Sequence, residues 1–372
     1  MTGTVPAPGP GAAPPRPEAG RSPVMADVAR LAGVSLQTVS RVVNGAPHLR
    51  PATRARVEEA IRQLGYRPNV AARALVTRRS ATLGVIGTKS EFWGPAAIHR
   101  SVQTAAREAG YFVSAIDLPE VTRRDVTEAV EHLRDQRVEG IVLIAANDEA
   151  LEAVRAQETG GLPVVVVEGD LSRARLTAGV DNHLGAVLAT EHLLALGHTR
   201  IQHVAGPAEW TEARERLAGW RTALQVGGLR PPEPLVGDWS AGSGHAAGVR
   251  LAAMRDVTAV FVANDHMAIG LLRALHEAGV RVPEDVSVVG FDDLPESAYL
   301  IPPLTTVHQD FPAIGRRAIE VLQRAVEDDR VPGSHQLSDR VGKLLRPSLV
   351  VRASTCAPRS APRTPTPVER TA

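Results

Sequence analysis

The chain has 372 residues, 42 of them basic and 41 acidic, and is 44% hydrophobic, enough for a small module plus a larger body with full apolar cores. Its single cysteine, Cys356, excludes an intrachain disulfide, and no apolar run reaches transmembrane length. Charge is unevenly placed. Residues 21–80 hold eleven Arg against Asp27, Glu58 and Glu59, a net +8, while the rest of the chain is mildly acidic. A basic module on an acidic body is the electrostatic footprint of a DNA-binding head.

Residues 1–22 are rich in Pro, Gly and Ala and have no apolar h-region, so they read as a disordered tail rather than a secretory signal. A soluble cytoplasmic, nucleoid-associated protein with no membrane partner is expected. Residues 23–68 carry the stretch DVARLAGVSLQTVSRVVNG (27–45), which has the layout of a helix-turn-helix. A short apolar-faced helix runs through Val28 and Leu31, Gly33-Val34-Ser35 makes the turn, and Ser35 is placed to cap the next helix. That second helix separates its faces: Val39, Val42 and Val43 point toward a core, and Leu36, Gln37, Ser40, Arg41 and Asn44 lie opposite.

Amide, hydroxyl and guanidinium groups on a rigid helix can read base edges in the major groove. Arg41 suits guanine and Gln37 suits adenine, whereas Leu36 can meet only a thymine methyl or fill space. Ser35, Thr38, Ser40, Asn44 and His48 read as phosphate contacts or local caps. A plain three-helix domain with a polar outer face is the competing reading, and the coincident basic excess weighs against it. A third helix is predicted from Pro51 to about Leu64, with Val57, Ile61 and Leu64 inward. A short Ala/Arg/Leu segment follows as a linker at 69–80.

From Leu83 the pattern changes. Apolar strand-like runs at 83–87, 111–116, 140–145, 164–167, 201–206, 257–263 and 286–290 alternate with helical stretches at 97–109, 125–136, 185–196, 211–226, 266–278 and 313–326. Unbroken apolar strands between helices predict parallel sheets covered on both faces. Residues 353–372 read as a second polar, Pro-rich tail. The twelve histidines are scattered, with no HExxH, nucleophile elbow or P-loop, so no catalytic residue, metal site or cofactor is expected.

The head motif and the blocks VDNHLGAVLATEHLLALGHTRI (180–201), AGPAEWTEARERLAGW (205–220), GDWSAGSG (237–244), VANDHMAIG (262–270), RVPEDVSVVGFDDL (281–294) and IPPLTTVHQDF (301–311) together resemble the lactose/galactose repressor family of bacterial transcription regulators. The resemblance spans roughly residues 24–352. It implies an all-α helix-turn-helix head, a hinge, and an α/β core at 81–352 of two Rossmann-like parallel-sheet subdomains of the periplasmic-binding-protein type. It further implies a homodimer on double-stranded, pseudo-palindromic operator DNA, released by a small-molecule carbohydrate bound between the subdomains. A purine or other metabolite acting as corepressor is the alternative. A transport-linked sugar-binding protein would share the core but lack the head.

The same resemblance assigns residues. In the hinge, Leu75 is the minor-groove wedge, with Ala71 and Ala72 allowing close helix–helix approach. Only 12 residues are aromatic, and Phe92, Trp93, Trp210, Trp220, Trp239 and Phe311 fall at or near expected cleft loops. Trp239 would be the stacking plate for a sugar ring, with Phe92 and Phe311 lining the cleft and Trp220 packed beneath the Arg216 helix. Glu168, Arg216, Asn264 and Asp292 would bond ligand hydroxyls, with Thr88 and Gln309 as weaker candidates. The competing reading of Arg216 and Asp292 is a structural salt bridge across the cleft. His192 and His198 would be structural. Some positions depart from the family pattern: Glu168 replaces a shorter aspartate, Arg50 and Val24 stand where hydroxyl caps are usual, and the C-terminal segment lacks the leucine heptads of a tetramer, so a dimer is expected.

Overall fold

The helical apolar spacing of residues 27–64 predicts three short helices around a small core, and a computed structural model contains them. It describes residues 23–43, 49–67, 79–88, 92–118, 122–144, 148–157, 161–169, 174–329 and 344–359. The chain divides into two units, Met1–Ser80 and Ala81–Ala372.

In the first unit, helix α1 spans Met25–Ala32, α2 Leu36–Val43 and α3 Pro51–Leu64. Val24 has no hydroxyl to cap α1, and the acidic side chain of Asp27 takes over by accepting the Val24 N–H at 3.0 Å. Ser35 caps α2 through Oγ, which accepts the Thr38 N–H at 3.2 Å. Pro51 starts α3 after Arg50, which offers no side-chain cap. Val28, Ala29, Ala32, Val39, Val42, Val57 and Ala60 form the core, closed by Tyr66. Leu31 is a correction: it is 42% exposed, because α1 buries the Val28–Ala29–Ala32 face and turns Leu31 outward.

In the second unit, strands β1 (Thr82–Thr88), β2 (Phe112–Leu118), β3 (Ile141–Ile144), β4 (Val164–Val167) and β5 (Thr177–Ala178) form a parallel sheet in the order β2-β1-β3-β4-β5. Helices α4 (Trp93–Glu108), α5 (Arg123–Asp135) and α6 (Asp148–Gln157) connect them. The buried valine and isoleucine runs IVLI and VVVV are fully enclosed, as both-face coverage requires.

The second sheet has the order β11-β10-β9-β8-β6-β7. Its strands are β6 (Ile201–Ala205), β7 (Leu235–Val236), β8 (Ala259–Val262), β9 (Ser287–Asp292), β10 (Thr305–His308) and β11 (Ser348–Val350), and only β11 runs antiparallel. Helices α7 (Asn182–Ala195), α8 (Thr211–Val226), α9 (Ala241–Ala253) and α10 (Asp265–Glu277) belong to this subdomain. The last helix, α11 (Phe311–Asp329), returns to the first subdomain, where Phe311, Ile314, Ala318, Leu322 and Ala325 join its core. Gly315 allows that return, since a Cβ there would stand 2.5 Å from the Ser101 backbone on α4. The chain therefore passes between subdomains after β5, after β10 and again at Leu345, which bridges Val180.

Residues 353–359, expected to belong to a tail, are held on the second sheet. Ser354 is fully buried: its Oγ donates to Val288 O at 2.6 Å and accepts Thr305 N–H at 2.8 Å. Ala353 N–H reaches Pro303 O, and Cys356 O lies 2.8 Å from His198 Nε2. Composition misleads here because the segment is held by hydrogen bonds to the second sheet rather than by apolar burial. His198 and His192, the latter 3.0 Å from Thr355 Oγ1, help hold this strap. Helices α6 and α9 and strands β5, β7, β10 and β11 were not anticipated. Gly- and Ala-rich α9 lacks an apolar stripe of large residues, and β10 is the short polar run TTVH.

Candidate functional site

In parallel α/β sheets, ligands sit where strands end and loops begin, outside the carboxyl edge. Here that edge carries a narrow cavity of about 40 Å³, well below the roughly 300–1,000 Å³ typical of ligand pockets. Its lining residues come from the ends of six strands: Phe92 and Trp93 after β1, Glu168 after β4, Trp210 and Glu212 after β6, Trp239 after β7, Asn264 after β8 and Asp292 at the end of β9. Arg216 reaches in from α8.

Trp239 forms one wall. Its ring packs edge-on against Trp210 (centroids 6.1 Å apart), which packs edge-on against Phe92 (5.9 Å). Gly206 makes the room, since a Cβ there would meet the Trp239 ring at 2.3 Å. Three pocket residues hold left-handed backbone: Glu168 at φ 67°, Trp239 at φ 74° and Asp292 at φ 106°. Non-glycine residues keep such conformations only where surroundings enforce them, typically at binding sites.

Arg216 anchors the polar side. Its Nη1 donates to Ala263 O at 2.6 Å and lies 3.4 Å from Asp292 Oδ1, its Nε donates to Asn182 Oδ1, and its guanidinium lies 3.8 Å from the Phe291 ring centroid. The Arg216–Asp292 salt bridge therefore exists, but within the second subdomain rather than across the cleft, because α8 and β9 both belong to it. Gln309 Nε2 donates to Asp292 Oδ1 at 2.7 Å. Asn264 caps α10, accepting Met267 N–H through Oδ1, and its Nδ2 donates to Trp239 O.

Burial raises the carboxyls here. Glu168 is held well above the ordinary carboxylate range, first by desolvation and next by the charge of Glu212, with Arg216 pulling the other way. Burial also raises Asp292 against the opposing pull of Arg216 and Gln309. Beside Asn264, Asp265 is pushed up to about 7 by burial and by Asp292. It accepts from Ser297 and Thr306 hydroxyls, each at 2.6 Å, and from Leu294 N–H.

Of the expected effector residues, Phe92, Glu168, Arg216, Trp239, Asn264 and Asp292 meet at this cavity, and Gln309 reaches it only through Asp292. Thr88 ends β1. Phe311 is a correction: as the first residue of α11 it turns into the first subdomain's core and lines a separate cavity beside α4. Trp220 is fully buried on the inner face of α8, stacked on His203. Glu212 was missed. Its signal was its place one turn before Arg216, on the same helix face.

In the head, Leu36 is 53% exposed, Gln37 and Arg41 are exposed and Ser40 is half-buried, while Val39 and Val42 are buried. The α2 face thus presents these side chains outward. Ser35 Oγ and Thr38 Oγ1 lie 2.9 Å apart, each engaged in the cap. Asn44, His48, Ala72 and Leu75 lie outside the described residues.

Comparison with known proteins adds to this geometry. Residues 24–69 match the family described as bacterial regulatory proteins, lacI family, and residues 190–355 match a periplasmic binding protein-like domain. The lactose operon repressor of Escherichia coli (strain K12) is 37% identical over 342 residues, 91% of this chain and 92% of that protein. A solved lac repressor dimer bound to operator and the anti-inducer ONPF is similar, with a TM-score of 0.79 and 36% identity, covering 91% of this chain and 100% of that one. A complex of the transcriptional regulator CelR with cellobiose gives a TM-score of 0.65 and 32% identity, covering 89% and 99%. With identity of this level running through head and core alike, the chain belongs to the lacI family of bacterial regulatory proteins and is a DNA-binding transcriptional repressor under ligand control.

Proposed function

We propose that this repressor controls carbohydrate-use genes and is released from its operator by a sugar bound at the Trp239 pocket. The observation that carries this is one indole plate, Trp239, facing the same cavity as Arg216, Asp292 and Glu168. A pyranose offers an apolar C–H face and a rim of hydroxyls, and such a wall matches both. The lining comes from both subdomains, so a ligand favouring the closed arrangement shifts the subdomain equilibrium. A homodimer placing two α2 helices on a pseudo-palindromic operator fits the exposed Gln37 and Arg41. In this reading the protein binds rather than catalyses, needs no cofactor beyond its effector, and works at the nucleoid in the cytoplasm.

The test is fluorescence anisotropy on palindromic DNA from upstream of its own gene cluster, titrated with glycosides, monosaccharides and purines. Release by one sugar class is expected. Tightening by a purine with no sugar effect would overturn the reading. Asp292→Asn should keep operator affinity and lose the response; normal release in that variant would remove the pocket from the mechanism.

A further inference from the structure

The charges of the pocket do not balance. Asp292 has a counterion in Arg216 and a second donor in Gln309. Glu168 and Glu212 have no such contact: among the described residues no cation forms a salt bridge with either, and Arg216 moderates the charge of Glu168 only from farther off. They come from opposite subdomains, Glu168 from the end of β4 and Glu212 from the first turn of α8. They meet where Glu212 Oε1 accepts, at 2.7 Å, the N–H of Gly169, the neighbour of Glu168. Glu168 Oε2 is fully buried and takes no hydrogen bond. Trp239, only 6% exposed, likewise leaves its Nε1–H unused.

Two carboxylates facing each other in a low-dielectric cleft repel, unless a proton or a cation stands between them. These groups do not converge into a metal-holding cluster. The walls beside them are the rings of Trp93, Trp210 and Phe92, whose faces attract organic cations. In the empty cleft a proton retained by Glu168 relieves this repulsion; an ammonium can take the proton's place between the two carboxylates and tie the two subdomains together.

Resting on the carbohydrate reading above, we propose that the effector is an amino sugar, its ammonium held between Glu168 and Glu212 and its ring against Trp239. The full-length protein reports binding itself, because Trp93, Trp210 and Trp239 line the site and their fluorescence should change on occupation. Glucosamine and galactosamine would be titrated against glucose, galactose and N-acetylglucosamine, with operator release followed in parallel. The amines should bind about tenfold or more tightly than their neutral counterparts, as a charge-assisted contact requires. Glu168→Gln should erase that preference while still binding glucose or galactose. Glu212→Gln, which keeps an acceptor for Gly169 N–H, should erase it independently. Neutral hexoses binding as well as the amines would overturn the ammonium site and leave the sugar reading standing. A purine alone moving the fluorescence and operator affinity would overturn both.

Discussion

The recognition helix and the effector pocket are built on opposite terms. The outward face of α2 lies within eight consecutive residues, Leu36–Val43, on a helix capped by Ser35. The pocket draws on the ends of six strands, and its groups hold one another: Gln309 on Asp292, Asp292 on Arg216, Arg216 on Asn182 and Ala263, Asn264 on Trp239. A face of the first kind can change what it reads without changing the fold. In a network of the second kind, specificity and stability are coupled, because each buried polar group is another's partner.

Substitutions can break this contrast. Arg216→Ala should act most strongly, leaving Asp292 buried without its counterion and destabilising the core by about 3–5 kcal/mol, measured by denaturant unfolding. A loss below 1 kcal/mol would mean that the network is not cooperative. Asp265 supplies the next effect, as a pH dependence. Its carboxyl is raised to about 7 in the folded core, above an unfolded value near ~3.9. Its contribution is therefore fully present below the unfolded value and is lost as pH rises through about 7. The core's Tm should fall across that window, and Asp265→Asn should flatten the slope; an unchanged slope would assign it to other groups.

In the head, Arg41→Ala should cost about 1–3 kcal/mol of operator binding and leave unfolding within about 0.5 kcal/mol of the parent. An equal loss of stability would show that the α2 face is structural after all. Ser35→Ala should have the smallest effect, about 1 kcal/mol of head stability from the lost cap, read by the thermal midpoint of the head transition.

Much of the architecture was legible in advance for a reason visible in particular residues. The runs IVLI and VVVV announce buried parallel strands, and the Val39/Val42 spacing against Gln37/Arg41 divides α2 into two faces. Asn264 and Asp292 stood out through family blocks. Leu31 and Phe311 were misplaced because both are apolar at helix positions where the pattern alone leaves open which neighbour is met. Glu212 was passed over as an ordinary acidic residue in a first helical turn, although it stands one turn before Arg216 on the same helix face.

What the sequence by itself determined was therefore the local and periodic part: the helix-turn-helix with its caps, the basic head, the alternation that makes two parallel sheets, and the residue types at the strand ends. Tertiary structure alone decided which strand ends converge. It turned Phe311 into a core and Trp239 against Trp210. It set Arg216 and Asp292 within one subdomain, brought Glu168 to face Glu212 across the cleft, and drew the polar segment 353–359 onto the second sheet. Periodicity reports whether a side chain points inward; the crossovers after β5 and β10, which separate contacting residues by scores of positions, determine what it meets there.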